Sequence, residues 1–155
     1  MEVWTMIEFK KILFPIDFTD ASKKIVPYAL STAEKYGAQL YVFHAVDDLE
    51  GWGGVYMPYS HREDIIRQAM EQAEKLMDDI CKEQLDAYPN LVKRLVSGNP
   101  AEQILQTVQN EGIDMIVLGT HGRGGLEHFI FGSVAEKVVK QSPVPVMVIN
   151  PDKVG

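Results

Sequence analysis

The sequence predicts an α/β fold: an open parallel sheet of five strands with helices on both faces. Two observations predict it. Short apolar runs rich in branched residues alternate with longer stretches of helical periodicity, and four of the five runs are almost continuously apolar. Alternation of this kind selects a parallel sheet, because each return to the sheet needs a crossover, and unbroken apolarity marks strands covered on both faces. No internal repeat or low-complexity linker interrupts the pattern.

The runs fall at 11–16, 39–46, 91–96, 114–119 and 144–149. After the first, the stretch 20–36 places Ile25, Val26, Ala29, Leu30, Ala33 and Tyr36 on one helical face and stops at Gly37. Pro27 lies inside it, and its missing N–H predicts a kink or a loosened first turn. After the second run, apolar residues recur at 65/66, 69/70, 73, 76/77, 80/81 and 85, a long amphipathic helix over 61–88 ended by Pro89 and Asn90. Cys81 sits on that stripe and reads as a core residue. The third run alternates with Lys93 and Arg94 and is expected at a sheet edge. The third helix has a capping-box start, with Asn99 as N-cap, Pro100 at the first position and Glu102 at the third, and it runs to about 111 before Gly112. A fourth helix is expected from Gly132 and Ser133 to near Lys140, ahead of Ser142 and Pro143. In such sheets ligands bind beyond the carboxyl ends of the strands, where strand order reverses. The loops after strands one, two and four are therefore the places to look for chemistry.

Composition narrows the class. At 155 residues, 46% hydrophobic and 24% charged, the chain reads as one domain over 1–155. A chain of this size buries roughly 70% of its unfolded surface and needs no metal or disulfide to stabilise a core. The 15 basic and 22 acidic residues leave a net charge of −7, and no basic run exists, which argues against a nucleic-acid surface. Any anionic ligand must be held locally. The single cysteine excludes an intrachain disulfide and multi-cysteine metal sites and fits a reducing compartment. No apolar run approaches the roughly 20 residues of a membrane helix, and the first ten residues lack a signal-peptide core, so the expectation is a cytoplasmic protein without a membrane contact.

The fourth strand runs into a glycine-rich loop with Gly119, Gly122, Gly124 and Gly125, followed by Gly132 and Ser133 at a helix start. Glycines let a main chain approach a ligand closely, and a free helix start offers amides and a dipole to an anion. An acidic protein can bind phosphate in this way. The G-x-x-x-x-G-K-[ST] loop is absent, and Pro15-Ile-Asp-Phe-Thr-Asp20 carries no G-x-G-x-x-G, so neither a P-loop enzyme nor an ordinary dinucleotide fold is indicated.

These residues resemble the ATP-binding branch of the universal stress protein family, whose G-x2-G-x9-G-[ST] motif is matched at Gly119, Gly122, Gly132 and Ser133. The likeness extends over nearly the whole chain, through Ile12-Leu-Phe-Pro-Ile-Asp-Phe-Thr19, His44-Ala-Val-Asp47, Gly98-Asn-Pro-Ala-Glu102 and Ser142-Pro-Val-Pro-Val-Met-Val-Ile149. The resemblance implies strand order 3-2-1-4-5 and an ATP site with contacts at Pro15, Ile16, Asp17, Ala45, Leu118, Gly119, His121, Gly122, Arg123, Gly132, Ser133, Val134 and Ala135. In it, Asp17 and the main chain near Ala45 hold the adenosine end. Gly119 and Gly122 approach the ribose and phosphates, and Gly132 and Ser133 with the amides of Val134 and Ala135 hold the phosphates, with Mg²⁺ able to ride on them. Ala45 stands where the family often has valine, and Ile16 where it often has threonine. The resemblance also implies a homodimer paired through strand 144–149.

Single residues carry paired readings. Asp17 can accept hydrogen bonds from a nucleoside or cap the following helix. His44 reads as a packed, hydrogen-bonded histidine, His121 and Arg123 as neutralisers of phosphate charge or a solvated pair, and His128 as a surface residue. The segment 47–59, with Trp52, Tyr56, Met57 and Tyr59, suits a lid over the nucleotide or a surface for a protein partner. The functional expectation is a cytoplasmic ATP-binding stress or signalling module. The alternatives are a slow ATP hydrolase or phosphotransferase, in which His121 or Asp17 positions a nucleophile, and a flavin carrier.

Overall fold

The computed structural model describes residues 4–48, 57–121 and 131–154. The five apolar runs become β1 (Lys11–Pro15), β2 (Gln39–Val46), β3 (Leu91–Ser97), β4 (Met115–Gly119) and β5 (Val146–Ile149). They pair in parallel, in the order β3-β2-β1-β4-β5. Between them run α1 (Asp20–Tyr36), α2 (Tyr59–Gln84), α3 (Pro100–Glu111) and α4 (Ser133–Gln141). Alternate residues of each strand face opposite layers. Ile12 and Phe14 of β1, Leu40 and Val42 of β2 and Val117 of β4 pack with Ile25, Val26 and Ala29 of α1 and with Met77, Ile80 and Cys81 of α2. Leu13, Tyr41, Phe43, Ile116 and Leu118 pack on the other face against Ala101, Ile104 and Val108 of α3 and Ala135 and Val138 of α4. Among the described residues no helix is long and apolar enough to cross a membrane.

Several boundaries differ from the sequence reading for identifiable reasons. β5 starts two residues late, because Pro145 has no N–H and the Ser142 hydroxyl bonds both the N–H and the carbonyl of Val144. α1 runs unbroken through Pro27, so the proline removes one backbone bond without ending the helix. Tyr36 leaves the apolar face; it is 51% exposed and meets Phe9 edge-on at 4.9 Å. α2 begins at Tyr59 and stops at Gln84, where Leu85 turns into the core and the Tyr88 hydroxyl bonds the Ala38 carbonyl.

The helix starts follow the sequence closely. Thr19 caps α1 by accepting from Ser22 N, and Asn99 caps α3 by accepting from Glu102 N at 3.2 Å. Only half of the expected capping box forms. The Glu102 carboxylate instead takes Lys137 of α4 at 3.0 Å and ties the two helices on that face together. At the far end of α3, Glu111 receives Arg94 of β3 at 2.8 Å, and the guanidinium lies 5.5 Å from the centre of the Tyr41 ring.

Two stability measurements check this frame. Replacing Asn99 by alanine removes one N-cap acceptor and is expected to lower unfolding free energy by about 1 kcal/mol, read from a urea midpoint at unchanged slope. The Arg94 hydrogen bond holds the Glu111 carboxyl below its ordinary value of 4.5. A depressed carboxylate pKa stabilises the fold above the unfolded value, and that contribution disappears as pH falls through the folded value. Glu111→Gln should therefore lose less stability than the parent chain between about pH 7 and about pH 3; an identical loss would show that the pair is silent.

Candidate functional site

Strand order reverses between β1 and β4, and a cavity of about 840 Å³ opens there, beyond the carboxyl ends of the strands. Every expected contact residue that is described lines it. Pro15, Ile16 and Asp17 come from the exit of β1 and Ala45 from β2. Leu118, Gly119 and His121 follow from β4, and Gly132, Ser133, Val134 and Ala135 from the start of α4. Gly122, Arg123 and His128 lie outside the described residues, as does 49–56 with Trp52 and Tyr56, the centre of the expected lid. Of that segment's other aromatic and sulfur side chains, Met57 and Tyr59 are exposed.

At one end of the cavity Asp17 organises the turn out of β1. Its Oδ1 accepts from Thr19 N at 3.0 Å and from the hydroxyls of Thr19 and Ser22, each at 2.5 Å, while its own N–H donates to Ser22 Oγ at 3.0 Å. Asp17 is not itself the cap of α1, which is Thr19; it positions the two hydroxyls that begin the helix. The turn holds Phe18 at φ 63°, a left-handed conformation that bulky residues rarely adopt. The Phe18 ring packs against His44, with centroids 4.4 Å apart, and His44 Nδ1 lies 2.7 Å from the Ile16 carbonyl oxygen. His44 is thus packed and hydrogen-bonded, as the sequence suggested.

At the other end, α4 presents its N-terminus. Gly132 is the N-cap; its N–H donates to Thr120 O at 2.6 Å, and its carbonyl accepts the first helical bond from Glu136 N. The amides of Ser133, Val134 and Ala135 precede that bond and are among the donors that a helix cannot satisfy internally. Together with the dipole they can hold an anion without a lysine. His121 turns its ring elsewhere. Its Nδ1 lies 3.0 Å from Thr120 Oγ1 and its Nε2 3.1 Å from Asp152 Oδ2, in the turn after β5.

Of the described glycines in this cavity, Gly119 acts through space rather than through backbone freedom. Neither Gly119 nor Gly132 has a positive φ. A Cβ on Gly119 would stand 2.5 Å from Ile25 Cδ1, so α1 packs where a side chain would project. At Gly132 a Cβ would meet Thr120 O at 3.4 Å, an ordinary contact.

Sequence reasoning missed the wall opposite the sheet. Ile65, Ile66, Ala69 and Leu76 of α2 line the cavity, although their stripe reads as core. Ile65 remains 42% and Leu76 37% exposed, whereas Met77, Ile80 and Cys81 farther along the same stripe are buried. Periodicity identifies a helix's apolar face but not which part of it meets a packed neighbour. Thr120, buried and cavity-lining, carried no sequence signal beyond its place beside a glycine. Cys81 lines no part of this cavity, and burial pushes its thiol pKa up, consistent with a core role.

The contact at Gly119 has a direct test. Gly119→Ala is expected to destabilise by about 1–3 kcal/mol through overpacking. Adding Ile25→Val removes the clashing Cδ1, so the double variant should be more stable than the sum of the two single effects predicts; strict additivity in urea unfolding would refute the contact.

The profile of the universal stress protein family matches residues 8–150. A universal stress protein of Thermus aquaticus is 33% identical over 142 residues, covering 92% of this chain and 99% of that one. One from Methanocaldococcus jannaschii is 28% identical over 156 residues, and its solved structure superposes with a TM-score of 0.81, covering 93% of this chain and 97% of that one. The structure of the universal stress protein UspA from Lactobacillus plantarum gives the same TM-score at 25% identity, covering 94% of this chain and all of that one. A universal stress protein solved with cAMP (TM-score 0.61) and one from Archaeoglobus fulgidus solved with dAMP (0.57) share the fold at 21% identity. They cover 94% and 93% of this chain and 99% and 100% of their own. On this match of nearly its whole length, the chain belongs to the universal stress protein family.

Proposed function

We propose that this chain binds ATP in the cavity between β1 and β4 and acts as a nucleotide-dependent stress or signalling module of the cytoplasm, a single unit over residues 1–155. The observation that carries the proposal is the meeting, in one cavity, of the unsatisfied N-terminal amides of α4 with the apolar crevice where strand order reverses. Its volume of about 840 Å³ falls within the range of small-molecule sites. The adenosine end lies toward Asp17, Ile16 and Ala45, and the phosphates lie against Gly132, Ser133, Val134 and Ala135. Gly119, Gly122 and Arg123 belong to the intervening chain. Mg²⁺ can ride on the nucleotide's phosphates. Two fold relatives solved with cAMP and dAMP support an adenine nucleotide as the ligand class.

Output through a second copy of the chain fits this reading. β5 pairs with β4 on one side only, at the end of the sheet, with Met147 partly exposed on it. A homodimer through strand 144–149 would pair that edge.

The decisive measurement is analysis of nucleotide released from purified protein, with calorimetric titration of ATP and Mg²⁺. Binding is expected, and no heat at millimolar ATP would sink the proposal. Asp17→Ala and Gly122→Val should each weaken affinity by about tenfold or more, about 1.4 kcal/mol. Circular dichroism separates loss of contact from loss of the α1 start. Light scattering should give a dimer that Met147→Asp dissociates.

A further inference from the structure

The two halves of α2 pack differently. From Ala73 onward the helix buries Ala73, Met77, Ile80 and Cys81, whereas none of residues 59–72 is buried. That leading half extends about 21 Å beyond the packed part. It is nonetheless amphipathic and oriented. On its solvent side Arg67 donates to Asp64 at 3.2 Å and to Glu71 at 3.3 Å, while Ile65, Ile66 and Ala69 line the cavity together with Ala73 and Leu76. The start of the helix is tied to the chain after β2, because Arg62 Nε donates to Asp48 O at 3.1 Å. The result is a wall of hydrocarbon about 16 Å long from Ile65 to Leu76, in which Gln72 is the only polar residue that α2 contributes. Ala69 and Ala73 leave a shallow trough in it, between Ile65 and Ile66 on one side and Leu76 on the other.

The sheet decides which part of a nucleotide meets this wall. β2 and β3 lie on one side of β1, and β4 and β5 on the other. α2 packs over β2 and β3, whereas α4 connects β4 to β5 and starts beside the exit of β4. With the phosphates at α4 and the adenosine end at Ile16, Asp17 and Ala45, the base turns its ribose-bearing N9 side toward β4. The opposite edge, which carries N1 and the exocyclic N6, therefore faces β2 and α2. Plain adenine presents two N6–H donors on that edge. The main chain near Ala45 can take one of them, but isoleucine, alanine and leucine carbons accept none, and a donor buried without an acceptor is costly. Ile65 and Leu76 also stay exposed, as large apolar groups do where an apolar partner is missing.

We propose that the ligand is an adenine nucleotide alkylated on N6, whose apolar substituent lies in the α2 trough; this rests on the nucleotide-binding reading above and narrows its ligand class. A single alkyl group keeps one N6–H for the main chain and replaces the other with hydrocarbon, so it matches both the polar and the apolar side of this end. The trough and the α4 amides belong to one cavity, so one molecule that reaches α4 can also fill the trough. Selectivity arises from a difference in burial. The substituent leaves water on binding, whereas plain ATP leaves Ile65 and Leu76 wet.

The test titrates the full-length chain by calorimetry, with Mg²⁺ present, using ATP, N6-isopentenyl-ATP and ATP carrying the same group on the ribose 3′ oxygen. The N6 compound should bind about tenfold tighter than ATP, as expected from burying about two methylene groups, and the 3′ compound should gain nothing. Ala69→Phe fills the trough and should abolish the preference. Ile65→Gln and Leu76→Gln, both at exposed positions, should each reduce it several-fold. Asp17→Ala should weaken both nucleotides alike and keep the ratio. If the parent chain binds ATP and the N6 compound equally, or the 3′ compound gains as much, or the α2 variants keep the ratio, the inference is overturned while the nucleotide site stands. A change of oligomeric state in Ile65→Gln by light scattering, with the ratio intact, assigns the wall to a protein partner and overturns it too. If none of the three nucleotides binds, both readings fall.

Discussion

The structure depends on β1 being paired on both edges and covered on both faces. Ile12, Leu13 and Phe14 are completely buried, with β2 on one side and β4 on the other. Each such side chain contributes roughly 1.5–3 kcal/mol by leaving water, so the strand is among the most strongly held parts of the chain. The same burial bars polar work from the strand itself, because an unpaired polar side chain there would cost more than it could return. Polar chemistry is displaced to the first positions beyond the strand, where Asp17 stands. The parallel arrangement sends the exits of β2 and β4 to the same rim, and the reversal of order beside β1 leaves a crevice there that the first half of α2 walls on the far side. The site is a consequence of how the center of the sheet is packed.

Asp17 carries that order into the rim. A left-handed Phe18 costs on the order of 1–2 kcal/mol. Opposing that cost are the bonds from Thr19 and Ser22 to a single carboxylate oxygen and the contact of the Phe18 ring with His44. His44 is in turn fixed by the Ile16 carbonyl, so β1 and β2 hold the same turn from two directions. A strained residue kept in place by convergent partners at the mouth of a cavity is the pattern expected of a preorganised binding turn. The sequence offered Asp17 as either a cap or a ligand contact; the structure makes it a brace for the cap Thr19 and also part of the cavity wall.

What was legible in the sequence followed from short-range chemistry. The strands, the Gly37 and Gly112 stops with φ of 60° and 66°, and the Thr19 and Asn99 helix starts depend on a few adjacent residues, and strand order followed from the family resemblance. The G-x2-G-x9-G-[ST] spacing located one side of the cavity for the same reason. The losses came where distant segments decide. Tyr36 fits the α1 period but meets Phe9 ahead of the N-terminal end of β1, and the leading part of the α2 stripe lines the cavity instead of a core. Gly119 lines the cavity as expected, but the sequence did not show that a Cβ there would also stand 2.5 Å from Ile25 Cδ1, ninety-four residues earlier in the chain. Thr120, His121 and Asp152 are adjacent only because β4 and β5 pair in register, Gly119 opposite Ile149. No local pattern announces that meeting.

That register bears on how an acidic chain can accommodate an anion at all. A net charge of −7 opposes phosphate at long range, but such repulsion is screened over a Debye length of about 8 Å at physiological salt. Within that distance the amides of Ser133, Val134 and Ala135 act nearly at contact, and the helix dipole acts with them. Of the carboxylates near this end, Asp152 meets the His121 imidazole at 3.1 Å, and Glu136, which lines the cavity from the first turn of α4, meets Lys140 at 2.7 Å. Local order thus outweighs net charge: fixed dipoles face the cavity, while the nearby acids are turned onto partners. The bond from Gly132 N–H to the Thr120 carbonyl, at 2.6 Å, ties the start of α4 to the end of β4 and so helps to fix the direction in which the α4 amides point.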